Sequence, residues 1–484
     1  MSIPKWSKAV TPLLSHTLDL PPSCMEFVPR SRDKLPCFQT GEYFVVGTYH
    51  LETESESVMT PDVGTKTTNQ PEGSEPQSYL DAKPQSRNGS LNLFKLTGHK
   101  FRAQGQKLRL IQKVSCPSAV LDLHFHPVFS STLGVVTSTG SISIYNLAEE
   151  LVTASHGDVG DSPFIYTLKH RVTHQVFSHD TIITSFAWYR AHGESNFKQA
   201  SSDLMACTTS SNAVYLVRLN WVVDHEDCTG ADQERHYHFD ILNGGQPINK
   251  HDLEAWCCTF NSEGTVYSGG DDAKIRATPL VRDPFNKAKD VERQEVARQT
   301  VFSGHGAGVT AILVLPLPSS PLGSTLLTGS YDDYVRVYAE YDFRPYVADT
   351  RPKALAELKI GGGVWRLKFL QDYPVTAVSG VNVKYRVLAS CMHEGARILE
   401  VSGNQMGEWK IEVLASMKIH ESMCYASDVK PLNMNPPLGW DEPRLCISTS
   451  FYDKLLCAWT FDPKHEVETP SDFGGELVGV LNAS

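Results

Sequence analysis

Two histidines, a cysteine and a set of acidic and tyrosyl side chains carry the chemistry this chain can offer. His50 and His393 each follow a run of apolar residues, in YFVVGTYHLE and LASCMHEG. An imidazole titrates near neutral pH, so either could take a proton from water or a hydroxyl. Cys391 lies two residues before His393. That pair has the residue types of a thiol nucleophile and its base, although on a strand-to-turn segment they need not touch. Tyr49, Tyr331 and Tyr452 sit at similar turns, as does Asp271 in SGGDD. Tyrosine faces beside a carboxylate suit a cation, a quaternary ammonium in particular. Glu254, two residues ahead of Trp256, is a further carboxylate for contacting a cation or orienting a base. A general protein-binding rim would look much the same.

The elements that hold these residues recur along the chain. TLLTGSYDDYVRVY (Thr325–Tyr338), VYSGGDDAKIRAT (Val266–Thr278) and CISTSFYDKLLCAW (Cys446–Trp459) share a small-residue turn, an aspartate and an alternating apolar strand. Weaker copies begin at Leu133, Leu204 and Val387. A period of this kind points to an all-β, seven-bladed WD40-type β-propeller with polar loop insertions. The blades are expected at Cys24–Leu96, Ala119–Leu147, Ile183–Leu219, Glu254–Leu280, Gly308–Glu340, Gly363–Val401 and Met423–Phe461. Residues 1–23 form an N-terminal segment, in which Leu13–Leu20 is expected to close the ring as the outer strand of blade seven, removing an open edge. The propeller would then span residues 24–463, with an acidic tail over 464–484. Residues 52–88 read as a disordered insertion rich in Ser, Thr, Glu and Pro. Ala148–Thr173, Asn220–Lys250 and Val281–Thr300 read as long connections between blades.

Aligning the repeats sorts structure from chemistry. Asp272, Asp332 and Asp453 hold the turn in blades four, five and seven, and His251, His305 and His420 precede their inner strands. These six are expected to form buried hydrogen-bonded networks rather than a site. The same turn position holds His50 in blade one, Thr139 in blade two, Ser211 in blade three and His393 in blade six. A histidine there cannot reproduce the aspartate network and is left for acid–base work, although a degenerate repeat would also put it there. The residue before each turn position gives a ring of Tyr49, Ser138, Ser210, Asp271, Tyr331, Met392 and Tyr452. Trp256 and Trp365 recur at matching inner-strand positions and read as packing between blades.

Composition narrows the classes further. A net charge of −11 argues against binding nucleic acid through its phosphates. Eleven cysteines with no C-x-x-C pair read as reduced thiols of a cytoplasmic protein. No apolar run is long enough to span a membrane. There is no G-x-S-x-G elbow, H-E-x-x-H motif, phosphate loop or dinucleotide fingerprint, so neither a metal nor a cofactor is expected. Closed propellers are commonly monomeric, which is the expectation here.

One family resemblance emerges from the motifs. HDLEAW with VYSGGDD, GGGVWR, LASCMHEG, SFYD, VGTYHLE and GSLNLF resemble the diphthine methylesterases, WD-repeat proteins of diphthamide biosynthesis. The likeness runs over essentially the whole propeller. It implies a carboxylic-ester hydrolase acting on the methyl ester of methylated diphthine on translation elongation factor 2, giving diphthine and methanol. The substrate would carry a trimethylammonium group beside the ester, which suits Tyr49, Tyr331, Tyr452 and Asp271. His393 would be the leading base and His50 the second candidate, with Cys391 as a less favoured candidate nucleophile. The amides of Gly361–Gly363 could donate to an oxyanion if strand pairing leaves them free. The competing reading is a non-catalytic propeller that docks the elongation factor or another protein.

Overall fold

The computed structural model describes residues 8–29, 40–51, 87–98, 107–151, 164–189, 202–223, 235–280, 299–317, 323–340, 352–371, 375–376, 382–431 and 440–464. They form seven sheets, antiparallel except for one short N-terminal strand, with no α-helix among the described residues, the blades of a β-propeller. The inner strands are Pro22–Phe27, Val120–Phe125, Ile183–Trp188, Ala255–Phe260, Val309–Leu315, Arg366–Phe369 and Cys424–Val429. The expected insertion at 52–88 lies outside the described residues up to 86, and the tail lies outside them after Lys464.

In most blades the second strand is buried on both faces, because it is sandwiched between neighbouring blades. Tyr43–Thr48, Thr132–Thr137, Thr265–Gly270 and Thr325–Ser330 are buried at every position. The core is therefore a series of inter-blade layers rather than one centre. Leu327, Val335 and Val337 of blade five pack with Val364, Val387 and Val401 of blade six. Each such side chain contributes roughly 1.5–3 kcal/mol on burial. Gly329 marks how close the blades come, since a Cβ there would overlap Val364.

The N-terminal chain closes the ring over three blades. Lys8–Ala9 adds to blade six, parallel to Ala415–Ser416. Pro12–Thr17 then runs antiparallel to Leu455–Trp459 as the outer strand of blade seven. Pro22–Phe27 opens blade one, and the Phe27 amide donates to Asp428 of blade seven at 2.8 Å. The parallel strand on blade six was not legible in the sequence. Two expected connections also contain outer strands, Phe164–Gln175 in blade two and Arg235–Ile241 in blade three. Their charged, alternating sequences resemble loops because only one face is covered.

Candidate functional site

A β-bulge stands at the start of six inner strands. The extra residue is Ser23, Leu121, Thr184, Trp256, Thr310 or Tyr425, and Trp365 holds the corresponding place in blade six. Bulges re-aim one side chain, and here they do so in two ways. In blades one, three and five the residue is a small hydroxyl that donates to the next blade. Ser23 reaches the Val120 carbonyl at 2.6 Å, Thr184 reaches Ala255 at 2.5 Å, and Thr310 reaches Val364. In blades four, six and seven it is aromatic: Trp256, Trp365 and Tyr425.

The ring of residues ahead of the turns is defined by a backbone hydrogen bond to the loop before the inner strand. Tyr49, Ser138, Ser210, Asp271 and Tyr331 make it to Pro21, Ala119, Ile182, Glu254 and Gly308. In blade seven it is Phe451 that donates to Met423, at 2.9 Å. The expected ring member Tyr452 is thus displaced by one residue. The turn is longer there, and Tyr452 is 69% exposed.

The bulge aromatics and the turn residues meet in one arc. Trp365 is its hub, with ring centroids 5.7 Å from Trp256, 5.9 Å from Tyr331 and 4.9 Å from Tyr425. Tyr425 continues to Phe451 at 5.5 Å, and Phe451 touches Tyr452 at 5.1 Å and Tyr49 at 5.9 Å. Blades two and three offer Leu121, Ser138, Thr184 and Ser210 instead. The sequence pointed to Tyr49, Tyr331 and Tyr452. It assigned Trp256 and Trp365 to packing and gave Tyr425 and Phe451 no role.

Asp271 ends the arc. Gly308 separates it from Tyr331, and a Cβ at Gly308 would overlap the Asp271 carboxylate and come within 3.0 Å of the Tyr331 ring. Burial raises the Asp271 carboxyl above its usual range. The Trp256 indole offsets part of that rise, while the charges of Glu254 and Asp272 add to it. That indole N–H is buried and makes no hydrogen bond of ordinary geometry. Glu254 itself is exposed, and its carbonyl accepts the Asp271 amide at 2.8 Å. Burial, then Asp271, then Tyr425 push the Tyr331 phenol up, so it stays a protonated donor.

The His393 turn packs against a glycine triplet. A Cβ at Gly362 would overlap the Cys391 carbonyl and lie 2.8 Å from Glu394, so only glycine fits. Gly363 borders Met392 and Tyr331. Among the described residues, the amides of Gly361, Gly362 and Gly363 make no backbone hydrogen bond. Met392 holds a φ of 41°, a strained conformation for a long side chain. His393, the next residue, is exposed to solvent. Cys391 points the other way. It is fully buried, and burial pushes its thiol up to about 12. A buried, protonated thiol is not a nucleophile, and the Cys391 candidacy falls on that. His50 lies in a short strand paired with Asn88, directly after Tyr49. No described contact joins His50 to His393.

The aspartate turns behave as structure. Asp272 meets His251 at 2.8 Å, and His251 meets Ser268 at 2.9 Å. Asp332 takes the Gly306 amide at 2.7 Å and Arg336 at 2.7 Å, with His305 3.6 Å away. Blade seven differs, because His420 turns to Ser450 and Ser448 while Asp453 holds Ser422. Deeper in the channel, Arg366 crosses from blade six to Asp122 of blade two at 2.7 Å. Burial pulls the His124 imidazole down, but Asp122 and Glu26, 3.3 and 2.7 Å away, outweigh it and hold the group at about 9. This plug of paired charges underlies the mouth and anchors the strand that follows Trp365.

Fold and repeat place the protein in a class: it is a WD-repeat β-propeller. The family model described as WD domain, G-beta repeat matches residues 297–339, which include most of blade five. Within that class the chain is a relative of proteins named diphthine methyltransferase. It is 24% identical to the one from Schizosaccharomyces pombe over 78% of this chain and 88% of that protein. A Dictyostelium discoideum protein named as a homolog of it is 24% identical over 72% of this chain and 78% of that protein. The Mus musculus protein is 32% identical over 39% of this chain and 34% of its own length. No helix among the described residues is long and apolar enough to cross a membrane. No group of metal-binding side chains occurs among them, and their nine cysteines are free and buried.

Proposed function

We propose that this protein acts in diphthamide biosynthesis, hydrolysing the methyl ester of methylated diphthine on translation elongation factor 2. Water attacks the ester carbonyl, the acyl–oxygen bond breaks, and methanol leaves with a proton from the base, giving diphthine as the free acid. The relatives' names speak of methyl transfer; in this reading the group leaves as methanol. The observation that carries it is the aromatic arc ending on Asp271. That arc suits a substrate with a quaternary ammonium beside its ester.

His393 is the proposed water-activating base, exposed on a turn that abuts the glycine triplet and Tyr331. The amides of Gly361–Gly363, which make no backbone hydrogen bond among the described residues, and the protonated Tyr331 hydroxyl are the proposed donors for the oxyanion. His50, beside Tyr49 at the far end of the arc, is the second candidate base. Tyr49, Tyr331, Tyr452, Asp271 and Glu254 remain the proposed cation contacts. The test incubates purified protein with elongation factor 2 bearing methylated diphthine and follows the modified peptide by mass spectrometry. Loss of one methylene mass supports the esterase, and an unchanged peptide rejects it.

A second reading is a non-catalytic scaffold using the same face. Leu253 and Ile419, in loops before inner strands, are 50% and 41% exposed, and Tyr452 joins them at 69%. Such side chains suit docking of a protein such as the elongation factor. Binding without loss of the methylene would favour it.

A further inference from the structure

We infer that the arc is a methylation-reading cation site, in which Trp365 is the residue that determines specificity. This deepens the reading above, since it rests on the same face and assigns the substrate's ammonium group to named residues. It does not depend on ester hydrolysis occurring.

Three independent features converge. First, the bulge in blades four and seven, and the matching position just ahead of the inner strand in blade six, carries an aromatic side chain, where its counterpart in three other blades bonds to the next blade. Trp256, Trp365 and Tyr425 are only partly buried, so they keep surface for a ligand. Second, the rings meet at interplanar angles of 50–56° around Trp365 rather than in parallel stacks. Tilted rings present faces in several directions, the arrangement that encloses a tetrahedral N-methyl group. Third, the arc ends on a carboxylate, Asp271. Asp271 has no cationic partner among the described residues, and its neighbours Glu254 and Asp272 repel its charge further. Asp272 is itself engaged by His251 and Arg276. A carboxylate held at this cost gains most from a cation that sheds little water on entry.

A quaternary ammonium fits all three features. Its charge is spread over methyl groups, it has no N–H to satisfy, and it meets ring faces without leaving a donor unpaired. A primary ammonium carries three N–H donors, and the ring faces offer them no acceptor. The site therefore favours trimethylated over unmethylated amines, and charged over neutral groups of equal shape.

The experiment uses the full chain and choline as probe, with titration followed by tryptophan fluorescence against equal sodium chloride. Ethanolamine and 3,3-dimethyl-1-butanol, a neutral isostere, are the comparisons. Choline is expected to bind and the other two not to. Trp365→Leu should weaken choline roughly tenfold, and Trp365→Phe should retain most of the affinity. Thermal melting checks that each variant folds. Equal binding of choline and its neutral isostere, or binding of none, overturns the inference, as does unchanged affinity in Trp365→Leu. Choline binding by a protein that leaves the methyl ester intact upholds this inference and removes the esterase. Ester hydrolysis with choline binding indifferent to Trp365 does the reverse.

Discussion

Blades five and seven flank blade six and show the same turn put to different uses. In blade five the polar groups are closed upon one another. Asp332 has two backbone amides and Arg336, His305 has Thr328, and the bulge residue Thr310 is bonded to blade six. In blade seven the turn is one residue longer, the His–Asp contact is gone, and the bulge residue is Tyr425 with Phe451 above it. A closed network stabilises and ties up the polar groups of the turn itself. The opened version gives up part of that stability and leaves aromatic surface at the mouth. The proposed site draws on both kinds of blade: blades four and five keep their aspartate turns and still present Asp271, Trp256 and Tyr331, while blade seven adds Tyr425 and Phe451.

The largest effect should come from the blade that departs furthest. His393→Ala is expected to lower kcat by roughly 10²–10⁴-fold on methylated elongation factor 2. Its melting temperature should not move, because His393 is exposed. Full activity in that variant would shift the base to His50.

Next comes the closed turn. Asp332→Ala leaves the buried Arg336 with the exposed Glu357 as its remaining carboxylate and should cost about 2–4 kcal/mol in denaturant unfolding. Asp453→Ala, which loses Ser422 and one amide, should cost about 1–2 kcal/mol. Equal losses would erase the distinction between the two turns.

A smaller pair separates bonding between blades from binding. Thr310→Val should cost about 1 kcal/mol of stability and leave choline affinity untouched. Tyr425→Leu should weaken choline by roughly fivefold while melting near the wild type.

The smallest effect is one of sign. Asp332 is depressed by its partners, so its contribution is present above the unfolded value of about 3.9 and is lost as pH falls through the folded value. Asp271 is raised, so the folded state holds its proton more tightly. Stability is lost as pH rises from the ordinary carboxylate value through the raised one. Asp271→Asn should therefore melt slightly higher than wild type at pH 7 while binding choline less well. In wild type, choline affinity should fall as pH drops through the raised Asp271 value. A lower melting point in Asp271→Asn would mean that the carboxylate serves the fold.

The seven-bladed ring and two of the three Asp–His pairs were legible because they are local and periodic. The turn strings around Asp272 and Asp332 fix both strand order and the histidine partner. What was not legible depended on contacts between blades. Nothing in Ser23, Thr184 or Thr310 announces a hydroxyl bonded to a carbonyl one blade away. Phe451 was passed over for Tyr452 because one added residue shifts the ring position. Trp365 looks like packing until Trp256, Tyr331 and Tyr425 are seen against it. Cys391, two residues from a histidine, looked reactive until its side chain proved to face the blade interior.

The most direct test is to run the reaction in ¹⁸O-labelled water on elongation factor 2 bearing methylated diphthine. Hydrolysis at the acyl–oxygen bond puts one labelled oxygen into the diphthine carboxylate and leaves the methanol unlabelled. That is the expected result. Unchanged ester, or demethylation with an unlabelled carboxylate, would contradict the esterase and return the mouth to a binding role or to methyl transfer.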